Sequence, residues 1–502
     1  MFAAAAIALA LHGGGAMSQE SRLLDDFDLG ALLDEVDRSY VDAPSYRAMF
    51  LGALEAVAKL APGAGLQIES VTHEIAISYD ARNGTRARMV FTAPETRSTL
   101  REVLQRLASL AADELVTAQP SQQIQPAIFA GALLGLDPHC DYVEPPTRPP
   151  GFFAGIGLEL GQDEEGLRVI FPIEGAPAAL GGVRRGDLIL RIDDKPVKGL
   201  ALKEAVELLR GRPDTPVALT IVRGGESASF TITLKRQPIR FNEVKARVIE
   251  PGYGWIHLSR FEATTPERLA RQLESLLGRD DIKGLVLDLR NNSGGLLHSA
   301  VGVAAAFLPP QAVVFSSDGR AEDAKRSFRA DARDYLPASG PDPLRKLPAA
   351  AKTVPMVVLV NGGTASGPEI VAAALQDHRR ATIAGTRTFG MGNIQTLFPM
   401  RDRNAAVKVT TARVYTPAGH SFQAVGVIPD LPVEDPNDTA ARPREADLPR
   451  HLTSKADASE TWTPTQTAPL PERRFAGLPT ELGSPQDVQL ERAIDFLKGK
   501  AK

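Results

Sequence analysis

The chain has 502 residues, 43% hydrophobic against 24% charged, and a net charge of −4, which allows two or three globular domains with large cores. The charges are spread without a basic block, which argues against a nucleic-acid-binding surface. A single cysteine, Cys140, rules out an internal disulfide, and with His139 alone beside it completes no zinc site.

The N-terminus opens with "FAAAAIALAL" at residues 2–11 and then "GGGA". The run is too short to span a bilayer but matches a signal-peptide core, so residues 1–20 read as an export signal, although no Lys or Arg precedes them. Residues 21–150 read as a helical section: "LLDDFDLGALLDEVDRSYVD", "SYRAMFLGALEAVAKLA" and "TRSTLREVLQRLASLAADEL" place apolar residues at helical spacing. Within it, the alternation of "IESVTHEIAISYDARNGTRARMVFT" around "NGT" predicts an inserted hairpin. The proline-rich "LDPHCDYVEPPTRPPGFF" closes the section.

Residues 151–236 form a strand-rich module in which "GIGLELG", "LRVIFPI", "GDLILRIDD", "PVALTIVRG" and "SFTITLKRQ" are strands and "LKEAVELLRGR" a helix. From 237 to 435, apolar strands such as "IKGLVLDLR" alternate with helices, as in a mostly parallel sheet covered on both faces. Residues 436–502 read as largely irregular, ending in the helix "QDVQLERAIDFLKG". The whole is a mixed α/β, multidomain chain.

One turn invites a chemical reading. "NGGTASGPEI" at 361–370 lies between the apolar strand "VPMVVLV" and a helix. Ser366 there is either a helix N-cap, with Pro368 and Glu369 completing a capping box, or a nucleophile held out over the sheet edge. In the second case Gly367 would donate an N–H to a developing oxyanion, and the "NNSGG" turn at 291–295 would supply another. That turn lacks the spacing of a phosphate loop.

These motifs, together with "LDPHCDYVEPP", "GAPAALGGVRRGDLILRIDDKPVKGLALKEAVELLRG", "GLVLDLRNNSGGLL", "GTRTFG" and "YTPAGHSFQAVGVIPDLPV", resemble the carboxy-terminal processing peptidases, PDZ-bearing serine peptidases also called tail-specific proteases. The resemblance implies that Ser366 is the nucleophile, that a lysine in an "FGKG" motif is its base, and that a glutamine four residues later supports it. Here the motif reads "FGMGNIQ", so Met391 stands at the lysine position while Gln395 remains. A thioether accepts no proton at useful pH. Lys408, His378 and His420 are the candidates for a substitute base. The resemblance makes 151–236 a PDZ domain, with Gly155, Ile156, Gly157 and Leu158 receiving a C-terminal carboxylate and Arg168 as a further contact.

Two functions follow as expectations. One is an exported or periplasmic serine peptidase that captures protein C-terminal tails and cleaves them at Ser366, with Gly367 and Gly294 or Gly295 as oxyanion donors. The other is a tail-binding pseudopeptidase lacking its base. A third possibility left open by the sequence is a trapped variant of an active enzyme. Neither of the first two requires a metal or organic cofactor, and the amphipathic N-terminal helices and last helix offer assembly surfaces for a second copy or an adaptor.

Overall fold

The computed structural model describes residues 26–499 except 82–83, 116–122, 144–153, 164, 174, 201, 225–227, 240–242, 279–280, 337–339, 401–404, 437–442 and 455–480. The export signal expected at 1–20 therefore lies outside the described residues. Two compact units emerge, Met1–Glu144 with Thr396–Val409, and Pro145–Gln395 with Thr410–Lys502. No described helix is long and apolar enough to cross a membrane.

The first unit carries the helices Asp26–Ser39, Tyr46–Leu60, Arg97–Leu110 and Ile124–Leu134. Tyr46–Leu60 and Ile124–Leu134 pack backbone to backbone, because a Cβ at Gly52 would lie 2.1 Å from the Gly131 carbonyl oxygen. The hairpin segment forms three antiparallel strands, Gln67–Ser70, Glu74–Asp80 and Arg86–Thr92. The "DPHC" stretch is a structural turn: Asp137 Oδ1 accepts the His139 and Cys140 N–H groups at 2.8 and 3.1 Å, and Cys140 Sγ turns to Asp137 Oδ2.

In the second unit, residues from 154 to 235 make a small antiparallel sheet ordered Leu158–Gln162, Leu167–Pro172, Leu188–Ile192, Pro216–Val222, Phe230–Lys235. Its core includes Ile156, Val169, Ile189, Leu219 and Ala205, the last from the helix Leu202–Leu209.

The larger sheet begins with Val244–Glu250 antiparallel to Tyr253–Leu258, after which Gly284–Asp288, Met356–Val360, Thr382–Gly385 and Leu431–Pro432 add in parallel. "GLVLD" and "MVVLV" are buried throughout, as strands covered on both faces must be. Alternate residues serve the two layers. Leu285, Leu287, Met356 and Val358 face the helices Thr265–Leu277, Leu297–Phe307 and Gly367–Asp377, while Val286, Val357 and Leu359 face the C-terminal helix Val488–Leu497. That last helix buries Leu490, Ala493 and Ile494 against the sheet, so its apolar face is spent within the unit and is no assembly surface.

The consequence for chemistry is topological. Gly284–Asp288, Met356–Val360 and Thr382–Gly385 are neighbours, all parallel, so the turns that follow them emerge side by side at one sheet edge. Those turns are "NNSGG", "NGGTAS" and "TRTFGMG".

Phe307 is fully buried in the main core whereas Leu180 is 77% exposed. Phe307→Ala should lower unfolding free energy by about 3–5 kcal/mol. Leu180→Ala should stay within about 0.5 kcal/mol, both read by urea denaturation.

Candidate active site

The first two turns are laced together by asparagines. Asn361 Oδ1 accepts the Asn291 N–H at 2.9 Å while its Nδ2 donates to Asn291 Oδ1 at 2.9 Å. Thr364 Oγ1 donates to the Leu289 carbonyl at 2.9 Å, and the Ala365 N–H reaches the Asn292 carbonyl at 3.0 Å. Asn292 itself is buried, its Nδ2 bonded to the Leu258 carbonyl. Short polar side chains that bond nearby backbone are what such turns require.

Ser366 sits at φ 65°, ψ −118°, outside the regions an L-residue normally occupies. Holding it there costs on the order of 1–3 kcal/mol. The helix start does not need its hydroxyl, because the Glu369 N–H is taken by the Ser366 carbonyl at 2.9 Å and the Ser366 N–H by Glu369 Oε2 at 2.8 Å. The layout is that of a capping box, but its carboxylate does more than cap.

Glu369 is completely buried, and each of its oxygens receives two donors. Oε1 takes Thr388 Oγ1 at 2.5 Å and the Gly390 N–H at 2.7 Å; Oε2 takes the Ser366 N–H and, at 2.9 Å, the Met391 N–H. The Ser366 turn and the 388–391 turn therefore meet on one side chain. Burial pushes this carboxyl up to about 7, against four hydrogen bonds that favour the anion. Arg444 is the charged group that faces it; burial lowers the pKa of that guanidinium, and Glu369 partly offsets the effect. Its four donors fill both oxygens, and the Ser366 hydroxyl is not among them.

Gly367 and Gly295, expected as oxyanion donors, carry N–H groups with no acceptor among the described residues. Gly367 must be glycine here, since a Cβ would lie 2.9 Å from Phe261 Cδ2. Gly294 lies against the serine, its notional Cβ 3.1 Å from Ser366 Cβ. Its own N–H, however, is given to Asn292 Oδ1 at 2.9 Å, which corrects the expectation that either glycine could donate and leaves Gly295.

The third turn is held from behind. Phe389 N–H donates to the Thr364 carbonyl at 3.0 Å, Val427 N–H to Thr388 Oγ1 at 2.6 Å, and buried Gln423 takes the Gly392 N–H and Asn393 Nδ2 on Oε1 at 2.8 and 2.9 Å.

A model of peptidase family S41 matches residues 252–433, and a PDZ-domain model matches 172–223. The carboxy-terminal-processing protease of Bartonella bacilliformis is 36% identical over 401 residues, covering 77% of this chain and 86% of the relative. This chain belongs to that family of S41 carboxy-terminal-processing serine proteases. The carboxyl-terminal-processing protease of Synechocystis sp. is 37% identical over 292 residues, 57% of this chain and 64% of the relative. Among solved structures, a photosystem II D1 C-terminal processing protease is 26% identical with a TM-score of 0.47, covering 83% of this chain and 94% of its own.

Against the family pattern, Met391 brings only its N–H to the site's wiring, and its side chain offers Gln395 no donor. Gln395 instead spends its amide nitrogen on Asn393 Oδ1 and, at 3.5 Å, Thr410 Oγ1. The substitute bases considered from sequence are not supplied to Ser366. His378 ends the helix that Ser366 begins, about 18 Å away at 1.5 Å per residue, and bonds the Val313 carbonyl. His420 is exposed in a loop whose Ala418 N–H is tied to Asp377, at that same far end. Lys408 lies in the strand Ala406–Tyr415, in register with Asp141.

In the PDZ module, Leu158–Gln162 is one of the two edge strands, with the helix Leu202–Leu209 alongside. Gly155 pairs with Gln237, while the carbonyls of Ile156 and Gly157 bond inward to Ala178 and Ile173 N–H groups. The Ile156 and Gly157 N–H groups have no acceptor among the described residues, which suits capture of a terminal carboxylate. Arg168 is not poised for that contact: it is bound to Asp163 Oδ2 through Nε and Nη2 at 3.0 and 2.6 Å and to the Gly186 carbonyl at 3.1 Å. Asp163 lies in a turn five residues earlier, and an acid at that spacing is the sequence signal for this pairing.

Ser366→Gly should raise stability by about 1 kcal/mol by relieving the positive φ, whereas Gly367→Ala should lower it through the Phe261 clash; thermal unfolding reads both. Glu369 holds, between pH 4.5 and about 7, a proton the unfolded chain has released. Its contribution is therefore fully present below pH 4.5 and lost as pH rises through about 7. Unfolding free energy measured across that window should fall relative to Glu369→Gln, in which this component is absent.

Proposed function

We propose that the protein captures protein C-terminal tails along the open edge of its PDZ sheet and cleaves them with Ser366 as nucleophile. The observation that carries this reading is a serine held at a strained φ that its helix does not require, beside the open N–H of Gly367. In the acylation step Ser366 Oγ would add to the scissile carbonyl carbon, and the carbonyl oxygen, becoming an oxyanion, would be received by the Gly367 and Gly295 N–H groups. The tetrahedral intermediate then expels the amine, which leaves with the proton that Ser366 Oγ gave up.

Among the described residues no basic side chain bonds the Ser366 hydroxyl to relay that proton. Met391 favours a second reading in which tails are held with little turnover, by the chain alone or paired with an active relative. We also propose an exported, periplasmic setting on the strength of the apolar leader, testable by cell fractionation with the leader deleted. Assembly with a second copy or an adaptor is an added proposal resting on the amphipathic N-terminal helices.

Cleavage of an unfolded test protein ending in apolar residues tests the main reading. A positioned base contributes about 10²–10⁴ in rate, so Met391→Lys should cut at least about 100-fold faster than the native chain. Adding Ser366→Ala should abolish the gain. Tail binding without turnover in the native chain would favour the second reading, and failure to bind tails would sink both. Cleavage that survives Ser366→Ala would remove Ser366 as nucleophile.

A further inference from the structure

Arg290, the last residue before the "NNSGG" turn, is about 1% exposed, yet carries a full charge and is clamped from two directions. Asp288, from its own strand, takes Nε on Oδ1 at 2.9 Å and Nη2 on Oδ2 at 2.6 Å. Asp487, almost 200 residues later, takes Nη1 and Nη2 at 2.8 and 2.6 Å, and Gln489 Oε1 adds a bond to Nη1 at 3.0 Å. Trp255 Nε1 fills the remaining place on Asp288 Oδ2 at 3.0 Å.

Asp487 is also the N-cap of the C-terminal helix Val488–Leu497, with Oδ1 accepting the Leu490 N–H at 3.1 Å and Oδ2 the Gly483 N–H at 2.8 Å. Its carboxylate thus fixes the start of that helix and the guanidinium at once.

Adhesion does not explain this arrangement. The helix already has an apolar face, Leu490, Ala493 and Ile494, buried on the sheet. A buried ion cluster is often no more stabilising than apolar residues of the same size, but its hydrogen bonds accept a single geometry. What the cluster adds is register, at the residue where it bears on the site. Immediately after Arg290 the backbone turns left-handed at Asn291, φ 61°, and four residues later presents the open Gly295 N–H.

We propose that Asp487, acting through Arg290, is a positioning residue for the oxyanion turn, so that docking of the C-terminal helix sets the placement of the Gly295 donor. The inference rests on the reading of Gly295 as an oxyanion donor for Ser366.

The test compares full-length native chain with Asp487→Asn, which keeps a capping oxygen but removes the charge, and with Leu490→Ala, which weakens the same helix's apolar docking and leaves the cluster intact. One readout is hydrogen–deuterium exchange over residues 289–297. The other is affinity for a tail peptide carrying a C-terminal boronic acid, whose serine adduct places an oxygen in the oxyanion position, against the same peptide ending in an amide. Asp487→Asn should speed exchange in that segment and weaken boronate binding about tenfold without changing amide-peptide binding, a fraction of what losing a whole donor does. Leu490→Ala should lower the melting temperature and leave both readouts as in the native chain. Equal effects of the two variants, or an Asp487→Asn chain with native exchange over 289–297, would overturn the proposal. A native chain that binds boronate no better than amide would instead count against Ser366 as nucleophile, while the exchange comparison still decides the role of Asp487.

Discussion

One buried carboxylate organises this site. Glu369 lies in the first turn of the helix that Ser366 opens, and its two oxygens receive four donors from both the Ser366 turn and the 388–391 turn. Because Ser366 N–H and Met391 N–H share a single oxygen, the two backbones can be no farther apart than those two hydrogen bonds laid end to end. Proton uptake, which the raised pKa brings to about pH 7, must change this pattern of bonds. A neutral carboxyl must donate from one oxygen, and of the four partners only Thr388 Oγ1 can accept, while it is already accepting the Val427 N–H.

The sheet makes that juxtaposition possible. Three adjacent parallel strands end at the same edge, so a serine turn, a donor turn and the turn bearing residue 391 arrive together although they are spread over a hundred residues of sequence. Asn361, Asn291 and Asn292 then hold the first two in contact, and Gln423 supports the third. Nothing in this wiring depends on the side chain of residue 391, since it enters only through its N–H. An intact scaffold is therefore compatible with a methionine at residue 391.

Much of this was legible in the chain itself. Apolar runs such as "GLVLD" and "MVVLV" announce doubly covered strands, glycine-rich turns mark their ends, and the order of motifs carries the family. What escaped the sequence were partnerships between distant segments. Glu369 looked like a local cap because three residues separate it from Ser366; its bonds to Thr388, Gly390 and Met391 have no local signature. Gly294 and Gly295 were interchangeable as donors until Asn292 was seen to occupy one of them. Arg168 looked available until Asp163 folded back onto it, and the last helix looked like a free amphipathic surface until its apolar face met Val286 and Leu359.

The central claim is that the Glu369 carboxylate holds the serine turn and the residue-391 turn in one arrangement. A crystal structure of the Glu369→Gln variant tests it most directly, because an amide nitrogen cannot accept the two donors that one carboxylate oxygen now receives. The account predicts that residues 388–392 shift away from the nucleophile turn and that Ser366 leaves its positive φ. If both turns keep their places and Ser366 stays near φ 65°, the carboxylate is not what holds the site together.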